Sequence, residues 1–287
     1  MSDPSVLRLD YLRKMQNPDG GWGFFPGKHS WLEPTAYALM ALHGEASSRE
    51  SFERGWNLMR SWQMKDGSWK PCAVVGEAHW TTALCVTLHC LNGVHDDALR
   101  RGVDWLLDTT GAENGLKFRL VHMLVPSTVE LDPSLKAWPW RPGNSSWIEP
   151  TAHALVALKK VVKSHSESKL QDRIRSGEKM ILERRCGDGG WNYGNRKVLG
   201  EALPSYPETT ALALLGLAGN GGLDLAAPLA VARKFWQETR SPLARAWLRV
   251  ALRSHGVTLP ELEETPLTPN DILIQALEAI AAKGVMA

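Results

Sequence analysis

The chain has 287 residues, 44% hydrophobic and 22% charged, and its 33 Lys and Arg against 31 Asp and Glu leave a net charge of +2. With the basic residues scattered rather than run together, nothing points to nucleic acid or an acidic membrane as the main partner. No apolar run reaches bilayer length, so no transmembrane segment is expected, and Cys72, Cys85, Cys90 and Cys186 read as reduced thiols of a soluble cytoplasmic protein.

In chain order, Val6 to Met15 places Leu9, Leu12 and Met15 on one face, a helical period. Pro18-Asp19-Gly20-Gly21 stops that helix. Pro34 opens the next one, where a missing N–H costs nothing, and Thr35 to His43 is apolar nearly all round, the mark of a buried helix. The alternation continues with an amphipathic helix at 49–62, a buried one at 81–91, and helices at 97–108 and 151–162. Further pairs are 167–185 with 209–218 and 226–238 with 243–253, then a proline- and glutamate-rich link at 257–269 and a closing helix at 270–283. No strand is expected.

The helix starts repeat. Ser30-Trp31-Leu32-Glu33-Pro34-Thr35-Ala36, Ser146-Trp147-Ile148-Glu149-Pro150-Thr151-Ala152 and Ser205-Tyr206-Pro207-Glu208-Thr209-Thr210-Ala211 match one another. A fourth copy, Glu77-Ala78-His79-Trp80-Thr81-Thr82-Ala83, carries tryptophan where the others have glutamate. Each is preceded by a second phrase: Gln16-Asn17-Pro18-Asp19-Gly20-Gly21-Trp22, Gln63-Met64-Lys65-Asp66-Gly67-Ser68-Trp69 and Arg185-Cys186-Gly187-Asp188-Gly189-Gly190-Trp191. In the third unit an insertion runs to Trp138-Pro139-Trp140, and Trp140 is taken to close the phrase there. A fifth unit is faint around Gln237 and Trp247. Such self-similarity marks one supersecondary unit that buries its apolar face only by stacking on copies of itself. Wholly apolar helices alternating with amphipathic ones imply an inner layer wrapped by an outer one, an all-α α/α toroid of about five to six helix pairs. A superhelical solenoid is the alternative, but it offers an all-apolar helix fewer neighbours. Residues 1–256 form the repeat domain, and 257–287 the link and a closing helix packed on it. That helix lacks a partner, which leaves a homodimer supplying a missing wall open.

The Gln-x-x-x-Gly-x-Trp phrase resembles the QW repeat of squalene–hopene and oxidosqualene cyclases, and the whole unit is similar to the prenyltransferase repeat of protein prenyltransferase β subunits. The resemblance implies a toroid around an apolar cavity for an isoprenoid, here as a single domain. It also implies an Asp-x-Asp-Asp-Thr-Ala motif whose middle Asp protonates the substrate. Aligned on Thr-Ala, that Asp falls on Glu33, Glu149 and Glu208, and its neighbours on Trp31, Trp147 and Tyr206, then on Pro34, Pro150 and Thr209. The paired carboxylates of the motif are absent.

Parallel inner helices would gather these glutamates at one mouth. Crowding and burial raise carboxyl pKa values, which suits a general acid toward an alkene or allylic ether, whereas helix dipoles favour the ionised form. The plainer reading is N-capping, which Ser, Thr, Asp and Asn do better. Trp31, Trp80, Trp147 and Tyr206 would offer π faces to a carbocation or stack on a sugar, and plain packing accounts for them too. Lys28, His29, Arg141, Arg196 and Lys197 could hold a diphosphate, His79 could shuttle a proton, and Asp96 reads as a helix cap. No ligand spacing suggests a metal, and no cofactor is expected. Three functions follow: a terpenoid cyclase-like isomerase on an isoprenoid, a non-catalytic isoprenoid- or protein-binding toroid with peripheral membrane contact open, and a carbohydrate-active toroid.

Overall fold

The computed structural model describes residues 4–116, 118, 120, 124, 132–163, 168–259 and 270–284. Among them are eleven α-helices: α1 (Pro4–Lys14), α2 (Leu32–Leu42), α3 (Arg49–Ser61), α4 (Thr82–Leu91), α5 (Asp97–Asp108), α6 (Ile148–Val162), α7 (Ser168–Glu183), α8 (Pro207–Leu217), α9 (Ala226–Glu238), α10 (Pro242–Ser254) and α11 (Ile272–Lys283). The expected link at 257–269 lies, from 260 on, outside the described residues, as does residue 167.

Six helices form a closed inner ring: α2 packs on α4, α4 on α6, α6 on α8, α8 on α10, α10 on α11, and α11 back on α2. Outside it, α3 covers α2, α5 covers α4, α7 lies against α6 and α8, α9 against α8 and α10, and α1 against α11 and α2. The sequence dictates the layers. In α2 every residue but Glu33 is buried, and α8 is buried from Thr209 to Leu217, so these helices need neighbours on all sides. The outer α3 and α5 bury only one stripe. The architecture is the expected α/α toroid.

One indole holds each of four inner helices, α2, α4, α6 and α8, to the outer layer. Trp22, Trp69, Trp138 and Trp191 are fully or almost fully buried. Each ring N–H donates to an outer-helix carbonyl: Leu12 at 2.8 Å, Met59 at 3.0 Å, Leu106 at 2.8 Å and Ile181 at 2.6 Å. Each backbone N–H donates to an inner-helix threonine hydroxyl: Thr35, Thr82, Thr151 and Thr210, at 2.9, 2.9, 3.2 and 3.0 Å. Three of the indoles also lie on a glycine of the next outer helix. A Cβ at Gly55, Gly102 or Gly177 would come within 2.8, 2.7 or 2.8 Å of the indole of Trp22, Trp69 or Trp138, so no side chain fits there. The glutamine of the phrase ties its own turn to the next outer helix, since Gln16 Nε2 donates to Gly20 O and Ser51 O, both at 2.7 Å. Gly20 turns the chain at φ +95°, where any Cβ would meet the Arg54 carbonyl.

Three expectations are corrected. The third unit is closed by Trp138 and not Trp140, because Trp138 makes both wedge hydrogen bonds while Trp140 packs edge-on to Trp80 at 5.4 Å. The constant eleven-residue step from wedge to glutamate position, Trp22 to Glu33 and Trp69 to Trp80, lands on Trp138 from Glu149. A two-residue antiparallel hairpin, Lys197–Val198 with Glu201–Ala202, appears where no strand was expected. It lengthens the fourth wedge-to-threonine step from 13 residues to 19. The closing helix α11 is not unpartnered: it is the sixth inner helix, and Ile272 N–H donates to Phe24 O of the first unit at 3.0 Å.

The wedge makes a test. Trp138→Ala should lower the unfolding free energy by about 3–5 kcal/mol, as for a buried tryptophan, and Trp140→Ala by less than half as much, measured by urea denaturation. Equal losses would return the wedge role to Trp140.

Candidate functional site

The inner helices are parallel, because like ends meet. At the C-terminal ends, Lys283 Nζ of α11 donates to Ala41 O and Lys159 Nζ of α6 to Gly216 O and Ala218 O. At the N-terminal ends the first N–H groups are taken by neighbouring loops: Leu32 N–H by Pro71 O at 2.8 Å, and Ile148 N–H by Tyr193 O at 3.0 Å. The six starts therefore surround one mouth. Their second positions carry Glu33, Glu149, Glu208, Leu243 and Leu273, with Trp80 at the matching place ahead of α4.

Alternate helices share the axis in layers. One turn below Glu33, Glu149 and Leu243 stand Tyr37, His153 and Trp247, from α2, α6 and α10. Their rings form a near-regular triangle with centroids 6.2, 5.6 and 5.7 Å apart. Tyr37 Oη and His153 Nε2 share a hydrogen bond of 3.1 Å inside it. All three are buried, so the axis is filled at this level. The expected open chamber is thereby absent at this level, and Glu33 and Glu149 stand one turn from the triangle toward the mouth.

Both carboxyls are half-buried and, among the described residues, make no hydrogen bond or ion pair. The N-cap positions before them, Trp31 and Trp147, make no side-chain cap bond either, so capping does not explain these glutamates. Burial pushes Glu33 up to about 7, and burial with the charge of Glu33 pushes Glu149 up to about 8. Desolvation is the largest cause at both. Each side chain is thus partly open to the mouth and partly desolvated by its neighbours, at the recess that the triangle floors. Tyr37 is raised well above its ordinary value by burial and then by the charges of Glu33 and Glu149.

The remaining expected site residues divide. Glu208 belongs to the other alternating set and accepts from Ser241 Oγ at 3.4 Å, so it does not join the pair over the triangle. Trp80 is buried, its ring 4.9 Å from His153. Trp31 and Tyr206 are exposed at the rim and Trp147 is half-buried beside Gly194. His79 is half-buried with Nδ1 lacking a partner, and burial lowers it to about 4, so it is neutral near pH 7. His29 is exposed, and Arg141 is exposed and paired with Glu77 at 3.4 Å. Neither is drawn into the recess. Asp96 caps α5 through Leu99 N–H as expected. Among the described residues no cluster of His, Cys, Asp and Glu could hold a metal ion.

Sequence reasoning missed Tyr37, His153 and Tyr193. The first two stand four residues after the flagged glutamates, the spacing of one helix face. Tyr193 lies in the loop that takes Ile148 N–H. Its ring lies tilted against Tyr206 at 5.6 Å, and its phenol is raised by burial and then by the charges of Glu208 and Glu149.

A carboxyl protonated to higher pH in the fold than in the unfolded chain costs stability as pH rises. The loss runs from the ordinary 4.5 up through about 7 and 8. The double variant Glu33→Gln, Glu149→Gln should therefore match the parent near pH 4.5 and exceed it by about 3 kcal/mol at pH 9, partial exposure screening the full shift. Denaturant titrations across that range check this, and parallel curves for the two proteins would refute dry carboxyls.

No protein-family model matches the chain. The drimenyl diphosphate synthase of Streptomyces showdoensis is 26% identical over 241 residues, 81% of this chain and 39% of that protein, so the chain spans about two fifths of its relative's length. A type II terpene cyclase from Scytonema superposes with TM-score 0.57 at 16% identity, over 99% of this chain and 78% of that one. A family 8 glycosyl hydrolase, an endoglucanase from Klebsiella pneumoniae, does so with TM-score 0.61 at 13% identity, over 97% and 99%. These likenesses establish the fold: an α/α toroid of the kind found in terpene cyclases and shared by glycosidases.

Proposed function

We propose that this chain is a terpenoid cyclase-like protein that admits an isoprenoid to the recess above Tyr37, His153 and Trp247 and starts its cyclisation by protonation. Glu149 is the acid, and Glu33 is the neighbour whose charge helps hold the proton on it. The observation that carries the reading is the pair of carboxyls without counter-ions one turn above an aromatic floor, where burial raises Glu33 to about 7 and Glu149 to about 8. The likeness to a drimenyl diphosphate synthase and to a type II terpene cyclase supports it.

The Glu149 proton passes to an alkene carbon, forming a C–H bond and leaving a carbocation. A second alkene closes the ring, and loss of a proton to the carboxylate restores the enzyme, so the net change is an isomerisation. A carboxyl held near 8 is a weak acid. Its transfer is favoured because the resulting carboxylate and carbocation attract strongly where water is excluded, and the faces of Trp80 and Trp247 are electron-rich toward a cation. In this reading Glu208, His79, Trp31, Trp147 and Tyr206 line the approach, and the chain is a single-toroid relative of the QW-repeat and prenyltransferase-repeat proteins. It acts in the cytoplasm as one unit of 1–256 with 257–287, touching a membrane peripherally to gather its substrate.

A second reading has one observation in its favour. Trp31 at the rim and the tilted Tyr193–Tyr206 pair are exposed aromatic side chains that suit a sugar ring, and a glycosidase shares the fold. Two carboxyls would then act as acid and base on a glycan.

Incubation with farnesyl diphosphate, geranylgeranyl diphosphate and squalene, with product analysis, separates these outcomes. Cyclised product is expected, with a rate that falls as pH rises past about 8. Glu149→Gln should lower the rate by roughly 10²–10⁴-fold without loss of stability. Tight binding of a prenyl chain with no conversion over hours would identify a binding module, and hydrolysis of β-glucan would establish the glycan reading. Full activity in both Glu→Gln variants would overturn the proposed acid.

A further inference from the structure

The repeat departs from itself at the end of the toroid opposite the mouth. Helices α2 and α8 have 11 residues each, but α6 has 15. All three begin one residue before their glutamate, so α6 runs about one turn past its counterparts. That added turn and the residue capping it carry Lys159, Lys160 and Lys163.

The extension forms one wall of a cavity of about 510 Å³. Helix α7 supplies a second wall with Arg175 and Glu178, and the turn Ala218-Gly219-Asn220-Gly221 after α8 supplies a third. Among the described residues the lining thus holds four cations and one carboxylate.

The cations are not equivalent. Lys159 Nζ pairs with Glu178 at 2.6 Å and donates to Gly216 O and Ala218 O, both at 2.8 Å, so it serves the carbonyl end of α8. Glu178 in turn accepts from Asn220 Nδ2 at 2.9 Å, which holds the glycine turn against α7. Arg175 is tied to Asp172 on its own helix. Lys160 and Lys163 have no such use. Among the described residues neither side chain makes a hydrogen bond or an ion pair. Lys160 is half-buried, and its amine is lowered by burial and then by the charge of Lys163. Neither amine meets a carbonyl at the end of α6, so helix capping does not account for them. The glycine turn adds donors of its own. Among the described residues the N–H groups of Gly219, Asn220 and Gly221 meet no protein acceptor, and a Cβ at Gly219 or Gly221 would meet open space.

We propose that this cavity is a second ligand site, which binds a phosphate or diphosphate group between Lys160, Lys163 and the turn Gly219-Asn220-Gly221. A tetrahedral anion accepts several N–H bonds at once, so it offsets the repulsion of the two amines and takes up the donors of the turn. The site lies at the far end from Glu33 and Glu149 and holds whichever reading of the mouth is right.

NMR of the full chain titrated with sodium diphosphate tests this. The amide signals of Gly219, Asn220 and Gly221 should shift together along one binding curve that weakens as salt rises. Lys160→Gln and Lys163→Gln should each weaken that curve by at least about tenfold, and Lys160→Arg by less. Arg141→Gln, at the mouth, should leave it unchanged. Urea denaturation checks that each variant folds, and Lys163 is exposed enough to be replaced safely. Co-sedimentation with phosphatidylcholine vesicles, with and without phosphatidic acid, assigns the source of the phosphate. Vesicle binding that requires phosphatidic acid and is lost in the double Lys→Gln variant means a lipid headgroup, whereas binding of free diphosphate only means a soluble ligand. Either result supports the site. Amides unmoved by millimolar diphosphate with no vesicle binding, or undiminished affinity in the double variant, would overturn it.

Discussion

The whole molecule depends on a single indole used four times. Each wedge tryptophan satisfies its ring N–H on an outer helix and its backbone N–H on an inner threonine, and three of them pack against a glycine in the next unit. Buried polar groups must find partners, so these bonds fix where an inner helix sits against two outer ones at once. They say nothing about what lies between. The chain from the Leu106 carbonyl to its indole is 32 residues where other units use 10, and a hairpin lengthens the fourth unit's step to threonine from 13 to 19. Long excursions are tolerated because loop closure costs little more as a loop grows.

The wedge also sets the height of the mouth-side glutamates. The threonine it grips lies two residues beyond Glu33, Trp80, Glu149 and Glu208, so those four positions share one level around the mouth. Six helices around an axis cannot all point bulky groups at the centre, and alternate helices take turns. Thus α2, α6 and α10 supply Tyr37, His153 and Trp247 to the floor and put Glu33 and Glu149 above it. Glu208, on the other set, turns to Ser241. A threefold choice inside a sixfold ring makes a pair out of three equivalent residues.

Much of this was legible from the residues. Apolar runs beside amphipathic ones announced two layers, and the matched phrases announced their repetition. The three helix starts marked the mouth. The slip at Trp138 and Trp140 arose because both close the insertion, and only the eleven-residue step distinguishes them. The floor was not legible as a floor. Tyr37 and His153 read as members of buried helices, and nothing local reveals that α2, α6 and α10 meet across an axis. The role of α11 was hidden for a related reason: its phrase has lost the wedge, and only packing on α2 and α10 shows that it closes the ring.

The sign of the carboxyl shifts was the open physical question, because a helix start should favour an ionised glutamate. The dipole there is felt through free N–H groups in the first turn, worth up to about 1 kcal/mol. In α2 and α6 several of those donors are engaged or missing. Leu32 and Ile148 give theirs to neighbouring loop carbonyls, Pro34 and Pro150 have none, and Thr35 and Thr151 give theirs back to Trp31 and Trp147. Glu33 and Glu149 thus stand at helix starts where few backbone donors remain for a carboxylate, and burial raises both. The loop contacts that join one unit to the next thereby also take donors that would favour the ionised form at the mouth.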